Sequence, residues 1–328
     1  MRKHFRAIAK IKETIDHLDV DLTNEVVLTE VGSGNYIYSP IIPVLAGAEK
    51  VFAWVQDSRF GSARDIISEC SELIEELGLE SKVEFYNGSF NAVHLATATI
   101  ITNSGFLRPL NRQKLEYVNQ TAVIPLMYEA WELRTDDLDL DFASNKGIKV
   151  AGTWENHPQL NVFDFVGSLS IKLALQAGFE IRGNHILVWS DDDFGEFTSK
   201  AFTDFGASTV VQTIKEEDIY VNADCLDFIF LCDYSEERKI SDIWSFEHLR
   251  SLNAGLGLVH LYGQLDYKKS MKYFNQVFPA KDGRTKVMSE TLSYLGFLPL
   301  IKLLTAGYKV AEAMRKESNH NLVQPINY

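Results

Sequence analysis

Short apolar runs alternate along this chain with longer stretches in which apolar residues recur every three or four positions. The runs VVLTEV (26–31), KVFAWV (50–55), KVEFY (82–86), ATIIT (98–102), TAVIPL (121–126) and GIKVAG (147–152) predict strands. Between them lie helical patterns. From Ala63 to Leu77, the residues Ile66, Ile67, Cys70, Leu73, Ile74 and Leu77 fall on one face. A second series of strands, HILVWS (185–190), STVVQT (208–213), LDFIFLC (226–232) and LGLVHLY (256–262), follows a helix predicted over about 161–177. The chain closes with a long helical pattern, Ser289 to Lys316, interrupted by Pro299.

Strand and helix in alternation imply right-handed crossovers and mostly parallel sheets. The fold class expected is therefore α/β, with two Rossmann-like domains joined by two helical crossings around a cleft. Residues 1–160 form the first, Rossmann-like or flavodoxin-like, and the helix within 289–328 returns to it. Residues 161–288 form the second, of the dinucleotide-binding type.

Composition narrows the picture. Of 328 residues, 46% are hydrophobic and 23% charged, enough apolar content for two cores. The net charge of −13, with no cluster of Lys and Arg, argues against a nucleic-acid partner. The first twenty residues place Phe5, Ile8, Ile11, Ile15 and Leu18 at helical spacing, which is an amphipathic helix and not a signal peptide. No apolar run reaches the length of a membrane span. Cys70, Cys225 and Cys232 show no metal or disulfide spacing, so reduced thiols and a cytoplasmic location are expected. His94, His185, His248 and His260 show no ligand spacing either, and no metal is expected.

Two turns stand out. After the first strand comes Glu30-Val-Gly-Ser-Gly-Asn-Tyr-Ile-Tyr-Ser-Pro40, in which Pro40 suits the first position of a helix. Gly32, Ser33, Gly34 and Asn35 can aim backbone N–H groups at an anionic or polar ligand, and Asp57, after the next strand, can accept from a ribose. The same residues also suit a tight turn that binds nothing. Residues 25–90 resemble the nucleotide-binding half of class I S-adenosylmethionine-dependent methyltransferases, whose first motif is an acid followed by glycines. That resemblance implies S-adenosylmethionine or another adenosine ligand at this loop.

The second turn, HILVWSDDDFG (185–195), runs from a buried strand into a helix. Three aspartates stand where a dinucleotide-binding turn carries glycines. Ser190 or Asp191 can cap a helix starting near Phe194, with the acids meeting its dipole. A carboxylate cluster for Mg²⁺ or a cationic partner, and a dinucleotide held in an altered pose, are the alternatives.

From about Thr97 onward the order of segments is similar to that of the NAD-dependent D-2-hydroxyacid dehydrogenases: IITNSGFLRPLNRQKLEYV, LRTDDLDLDFASNKGIKVAGTWENHP, NVFDFVGSLSIKLAL, then IRGNHILVWSDDDFG and GLGLVHLYGQLD. The resemblance implies a dinucleotide at residues 190–195, a substrate in the cleft between the domains and a homodimer. The residues that carry that chemistry differ. The cofactor glycines fall at Ser190, Asp192 and Gly195, so only the last is kept. Gln212 and Thr213 stand where the ribose acceptor belongs, Tyr262 replaces the arginine, and no histidine lies between His260 and His320. Tyr262 and Glu290 are the nearest substitutes for catalytic roles.

Polar and aromatic side chains gather after the later strands of the first series. Asn103, Ser104, Tyr128, Glu129, Trp131, Arg134, Trp154, Asn156 and His157 are candidate lining for a small-molecule cleft, or Trp131 and Trp154 are packing residues. His157 is a candidate acid or base, or an exposed hydrogen bonder. Three functions are consistent with these residues. One is a divergent dehydrogenase-like protein that binds a small ligand, serves as an accessory or runs an unassigned reaction. The second is an NAD(P)-dependent oxidoreductase with rearranged groups, and the third an S-adenosylmethionine or adenosine binder at the first loop.

Overall fold

The structure is a computed structural model and describes residues 4–326. The strands run in chain order β1 (Val26–Glu30), β2 (Lys50–Val55), β3 (Val83–Asn87), β4 (Ile100–Ile101), β5 (Val123–Pro125) and β6 (Lys149–Thr153). They continue as β7 (His185–Trp189), β8 (Thr209–Thr213), β9 (Phe228–Cys232), β10 (Gly257–Tyr262), β11 (Gln276–Phe278) and β12 (Val323–Gln324). The chain forms two compact units. One runs to Val162 and resumes at Gly296; the other is Phe163–Leu295.

In the first unit the sheet order is β12-β6-β5-β4-β1-β2-β3, parallel except for β12 against β6. Read from β3, this is 3-2-1-4-5-6, an order typical of dinucleotide-binding sheets. Its direction reverses between β1 and β4, where Val27 and Leu28 pair with Ile100 and Ile101. One core is built on Leu28, Trp54, Ile101, Ile124 and Val150, all nine-tenths buried or more. Each such aliphatic side chain contributes roughly 1.5–3 kcal/mol. The helix Phe297–Lys316 packs on β5, on β6 and on the helix Phe5–Leu18. It comes so close that a Cβ on Gly307 would lie 2.5 Å from the Met127 sulfur.

The second unit has the order β11-β10-β9-β7-β8, entirely parallel. Read from β8, it is 2-1-3-4-5, with its switch point between β7 and β9. Period-2 alternation divides its cores: Ile186 and Val188 join one, Leu187 and Trp189 the other.

Several elements differ from expectation. The closing helix begins at Phe297, not Ser289, because Gly296 adopts φ 140° and Leu292–Leu295 is a 3-10 turn. Pro299 then sits in the first turn, where its missing N–H costs nothing. After β1 the chain forms a 3-10 segment, Gly34–Tyr38, before the short helix Ile41–Leu45, and Pro40 is that helix's N-cap and not its first residue. The strands β11 and β12, three and two residues long, have no counterpart in the sequence pattern. Among the described residues no helix is long and apolar enough to cross a membrane, and all three cysteines are free.

Candidate functional site

The aspartate-rich turn resolves into one engaged carboxylate and two exposed ones. The helix it feeds is Asp193–Asp204, and its cap is Asp192, neither Ser190 nor Asp191 as expected. The helix starts one residue earlier than the pattern suggests, and the capping position moves with it. Asp192 Oδ1 accepts the Gly195 N–H at 3.1 Å and the Ser190 hydroxyl at 2.7 Å. Its Oδ2 accepts the Tyr234 N–H, from the segment after β9, at 3.1 Å. Both oxygens therefore bind N–H groups facing the β7–β9 switch point, while Asp191 and Asp193 face water. Gly195 keeps a packing role: a Cβ there would lie 2.5 Å from that of Ser190 and 2.8 Å from the Gln212 amide nitrogen. Among the described residues no three His, Cys, Asp or Glu side chains are arranged to hold a metal ion.

Aromatic rings fill the space beside this carboxylate. Phe194 lies 4.8 Å from Tyr262 and 5.7 Å from Tyr234, and the two tyrosine rings are 5.2 Å apart, centroid to centroid. Tyr262 is thus a buried packing residue at the end of β10. Glu290 pairs with Lys281 at 2.6 Å. His260 in β10 is fully buried, its Nε2 donating to the Pro279 carbonyl at 3.0 Å, and its Nδ1 has no partner. Burial pushes its pKa down to about 4.

In the first unit, Gly32 is buried, Ser33 and Asn35 are half-buried and Gly34 is exposed with φ 63°. Asp57 accepts the Ala63 N–H at 2.8 Å, holding the start of the helix Ala63–Leu77. The acid of the same motif, Glu30, is buried at the end of β1 and accepts the Phe106 N–H at 3.1 Å. Burial raises its pKa, opposed by that bond, by Arg108 and by Ser104. Below it the hydroxyls of Ser104, Thr102 and Thr29 form a buried chain, with steps of 3.0 and 3.1 Å.

The carboxyl edge of β4, β5 and β6 brings together most of the candidate lining residues. Asn103 is fully buried; its amide nitrogen donates to the Tyr128 hydroxyl at 2.8 Å and its Oδ1 has no partner. Tyr128 donates to Asp137 Oδ2 at 3.1 Å, and the same oxygen receives Arg108 at 3.2 Å and Arg134 at 3.0 Å. Arg108 also lies over the Tyr128 ring. Burial, first, and then Asp137 push the Tyr128 phenol well above its usual range.

Beside this network, Glu129 accepts the Glu155 N–H at 2.9 Å and the Trp131 indole N–H. Glu155 is buried and keeps its proton far above the usual carboxylate range, through burial first and then Glu132 and Glu129. The pKa of Glu132 is raised to about 7 by burial and by Glu129, with Arg134 and Arg108 opposing. Trp131 and Trp154 are 45% and 43% exposed. Asn156 is exposed, and His157 is half-buried, accepting the Gln159 N–H at 3.3 Å.

Sequence reasoning grouped Glu132 and Glu155 with the other lining candidates but did not single out Arg108 or Asp137. The positions of Arg108 and Asp137 past β4 and β5 were the available signal, since parallel sheets present ligands at that edge. What joins them is the sheet order, which no local pattern encodes.

No family model matches this chain, and no curated protein sequence matches it. Solved structures share its fold. The dipicolinate synthase A protein from Bacillus halodurans aligns with a TM-score of 0.51 at 11% identity, over 90% of this chain and 98% of that one. Its counterpart from Bacillus subtilis aligns with a TM-score of 0.51 at 12% identity, over 91% and 97%. The NAD-dependent formate dehydrogenase from Staphylococcus aureus, solved with NAD, aligns at 0.42 and 14%, over 83% and 97%. These neighbours are Rossmann proteins of the 2-hydroxyacid-dehydrogenase-like and dipicolinate synthase A type, and at such identities the likeness is one of fold. The α/β class with two mostly parallel sheets agrees with it. The neighbours lend no support to a methyltransferase relationship.

Proposed function

We propose that this chain is a divergent, 2-hydroxyacid-dehydrogenase-like Rossmann protein that binds a small ligand, as an accessory protein or in a reaction other than hydride transfer. In this reading the ligand sits at the carboxyl edge of β4–β6 and no dinucleotide is held in the ordinary pose at residues 190–195. The carrying observation is Asp192. Its two oxygens already take the Gly195 and Tyr234 N–H groups, donors that would otherwise face a phosphate. A pyrophosphate brought to the same place would lose those donors and meet a carboxylate at close range. At an effective surface dielectric one such like-charge pair costs on the order of a few kcal/mol. The residues present therefore do not fit the cofactor that the fold type suggests.

The absence of a family-type Arg at Tyr262 and of a His near Glu290 supports the same reading, because a carbonyl reduction needs an alkoxide stabiliser and a proton donor. A ligand that binds only the native state raises the melting temperature by mass action. A thermal-shift screen of NAD(H), NADP(H), S-adenosylmethionine, adenosine and dipicolinate, the compound two of the neighbours are named for, tests the proposal. We expect no shift with nicotinamide dinucleotides at millimolar concentration. A shift with NAD(H), together with turnover of a 2-keto acid, overturns it in favour of a rearranged oxidoreductase. A shift with S-adenosylmethionine or adenosine that a Gly34→Asp variant loses moves the ligand to the first loop.

A further inference from the structure

We infer that the carboxyl edge of β4–β6 is built for a small zwitterion, a compound carrying both a carboxylate and a protonated amine. The inference rests on the reading above that the ligand lies on this edge, and adds its chemical class.

The anion-binding half is a pair of guanidinium groups. Arg108 and Arg134 each give one side-chain N–H to a single oxygen of Asp137, and neither guanidinium makes another hydrogen bond among the described residues. Two cations on one carboxylate leave a positive charge and unspent donors, on side chains 27% and 45% exposed. Their planar forks match a carboxylate. Asp137 and Tyr128 fix the geometry from below.

The cation-binding half is the group Glu129, Glu132 and Glu155, none of which forms an ion pair among the described residues. Glu129 and Glu155 are only 4% and 6% exposed, and with no counter-ion beside it Glu155 keeps its proton rather than carry a buried charge. Such a charge is strongly unfavourable until a cation arrives or a proton is taken up. The exposed rings of Trp131 and Trp154, adjacent in sequence to Glu132 and Glu155, add faces that attract an ammonium group.

An independent feature points to a hydrogen-bond donor as a missing partner on this edge. Asn103 is fully buried and bonded through its amide nitrogen to the Tyr128–Asp137–arginine network, yet its carbonyl oxygen accepts nothing. A buried acceptor left unpaired costs roughly 1–3 kcal/mol, which a donor reaching the network would recover. The two halves share one short segment: Glu129 and Glu132 bound the 3-10 turn Ala130–Glu132, and Arg134 follows two residues later on Asp137. One small molecule can therefore engage both.

The test uses the full-length protein at neutral pH, in calorimetric titration against the protein amino acids as zwitterionic probes. Dipicolinate serves as a purely anionic probe and cadaverine as a purely cationic one. We expect an amino acid to bind, and Glu155→Gln and Arg134→Gln each to weaken it at least about tenfold, as for loss of one partner of a buried charge pair. Asp192→Asn should leave that binding unchanged. In the unliganded protein Glu155→Gln should raise the melting temperature, because it removes an uncompensated carboxyl. The inference is overturned if no amino acid binds at millimolar concentration, if binding survives both substitutions, or if Glu155→Gln lowers the melting temperature. Binding of dipicolinate alone, lost in Arg134→Gln, also overturns it while leaving the proposed function standing. NAD(H) bound at residues 190–195 instead removes the proposed function.

Discussion

Gly105 and Glu30 meet at the point where the first sheet reverses direction. A Cβ on Gly105 would lie 1.4 Å from the Glu30 Oε2, and Gly105 holds φ 38°. The loop after β4 can cover the acid only because this residue has no side chain. Gly105→Ala should cost about 2–4 kcal/mol, from overpacking and left-handed backbone together. In a Glu30→Ala background the same change should cost about 1 kcal/mol. Urea melts of the four proteins check the cycle; equal costs in both backgrounds would remove the contact.

Asp192 and Asp191 are adjacent and should behave differently. Asp192→Ala removes a helix cap and leaves the Tyr234 N–H unpaired, for a loss of about 2–3 kcal/mol. Asp191→Ala changes an exposed residue and should stay within about 0.5 kcal/mol. Chemical denaturation of both variants is the measurement, and a similar effect for the two would contradict the capping assignment.

His260 should make the second unit acid-sensitive. Its pKa falls from 6.5 to about 4 through burial, with Lys281 lowering it and the Pro279 carbonyl and Asp282 raising it. The folded pKa lies below the unfolded one, so this contribution is complete above pH 6.5. It is lost as pH falls toward 4, because the unfolded chain takes up a proton the native state refuses. The loss is about 3 kcal/mol in that window, at 1.36 kcal/mol per unit. His260→Gln should flatten the pH dependence of stability between those limits; an unchanged slope would show that another group sets it.

Lys309 ties the closing helix to the first unit's N-terminal segments. Its ammonium donates to Glu312 at 3.0 Å and to the Asp19 carbonyl, with the two side chains 10% and 9% exposed. Lys309→Ala leaves Glu312 buried without that partner and should cost about 3 kcal/mol. Lys316, half exposed and bonded to Glu312 and Asp21, should cost less than about 1 kcal/mol on the same replacement. Thermal melts separate the two, and equal costs would place the anchor elsewhere.

Much of the fold was legible because burial writes a period into the chain. The run HILVW is a strand bordered by two cores, and its alternation sends Ile186 and Val188 to one and Leu187 and Trp189 to the other. Helix ends were less legible. Gly296 ends the 3-10 turn and opens the last helix through its φ, a choice its neighbours do not announce. The two-residue β12 exists only because β6 is there to pair with it. The sites follow the same division. The acids at 191–193 were visible, but which of them is engaged depends on the Tyr234 N–H, 42 residues away. Likewise, Arg108 and Asp137 are 29 residues apart and meet only through the order of β4 and β5.

The second unit interrupts the first, entering after Val162 and leaving before Gly296. On the ribosome, Phe163–Leu295 therefore emerges whole before the helix that completes its host has been made. The inserted unit can mature during synthesis, whereas the first must wait for Phe297–Lys316 to cover β5 and β6, so chains stopped short of that helix leave apolar surface open.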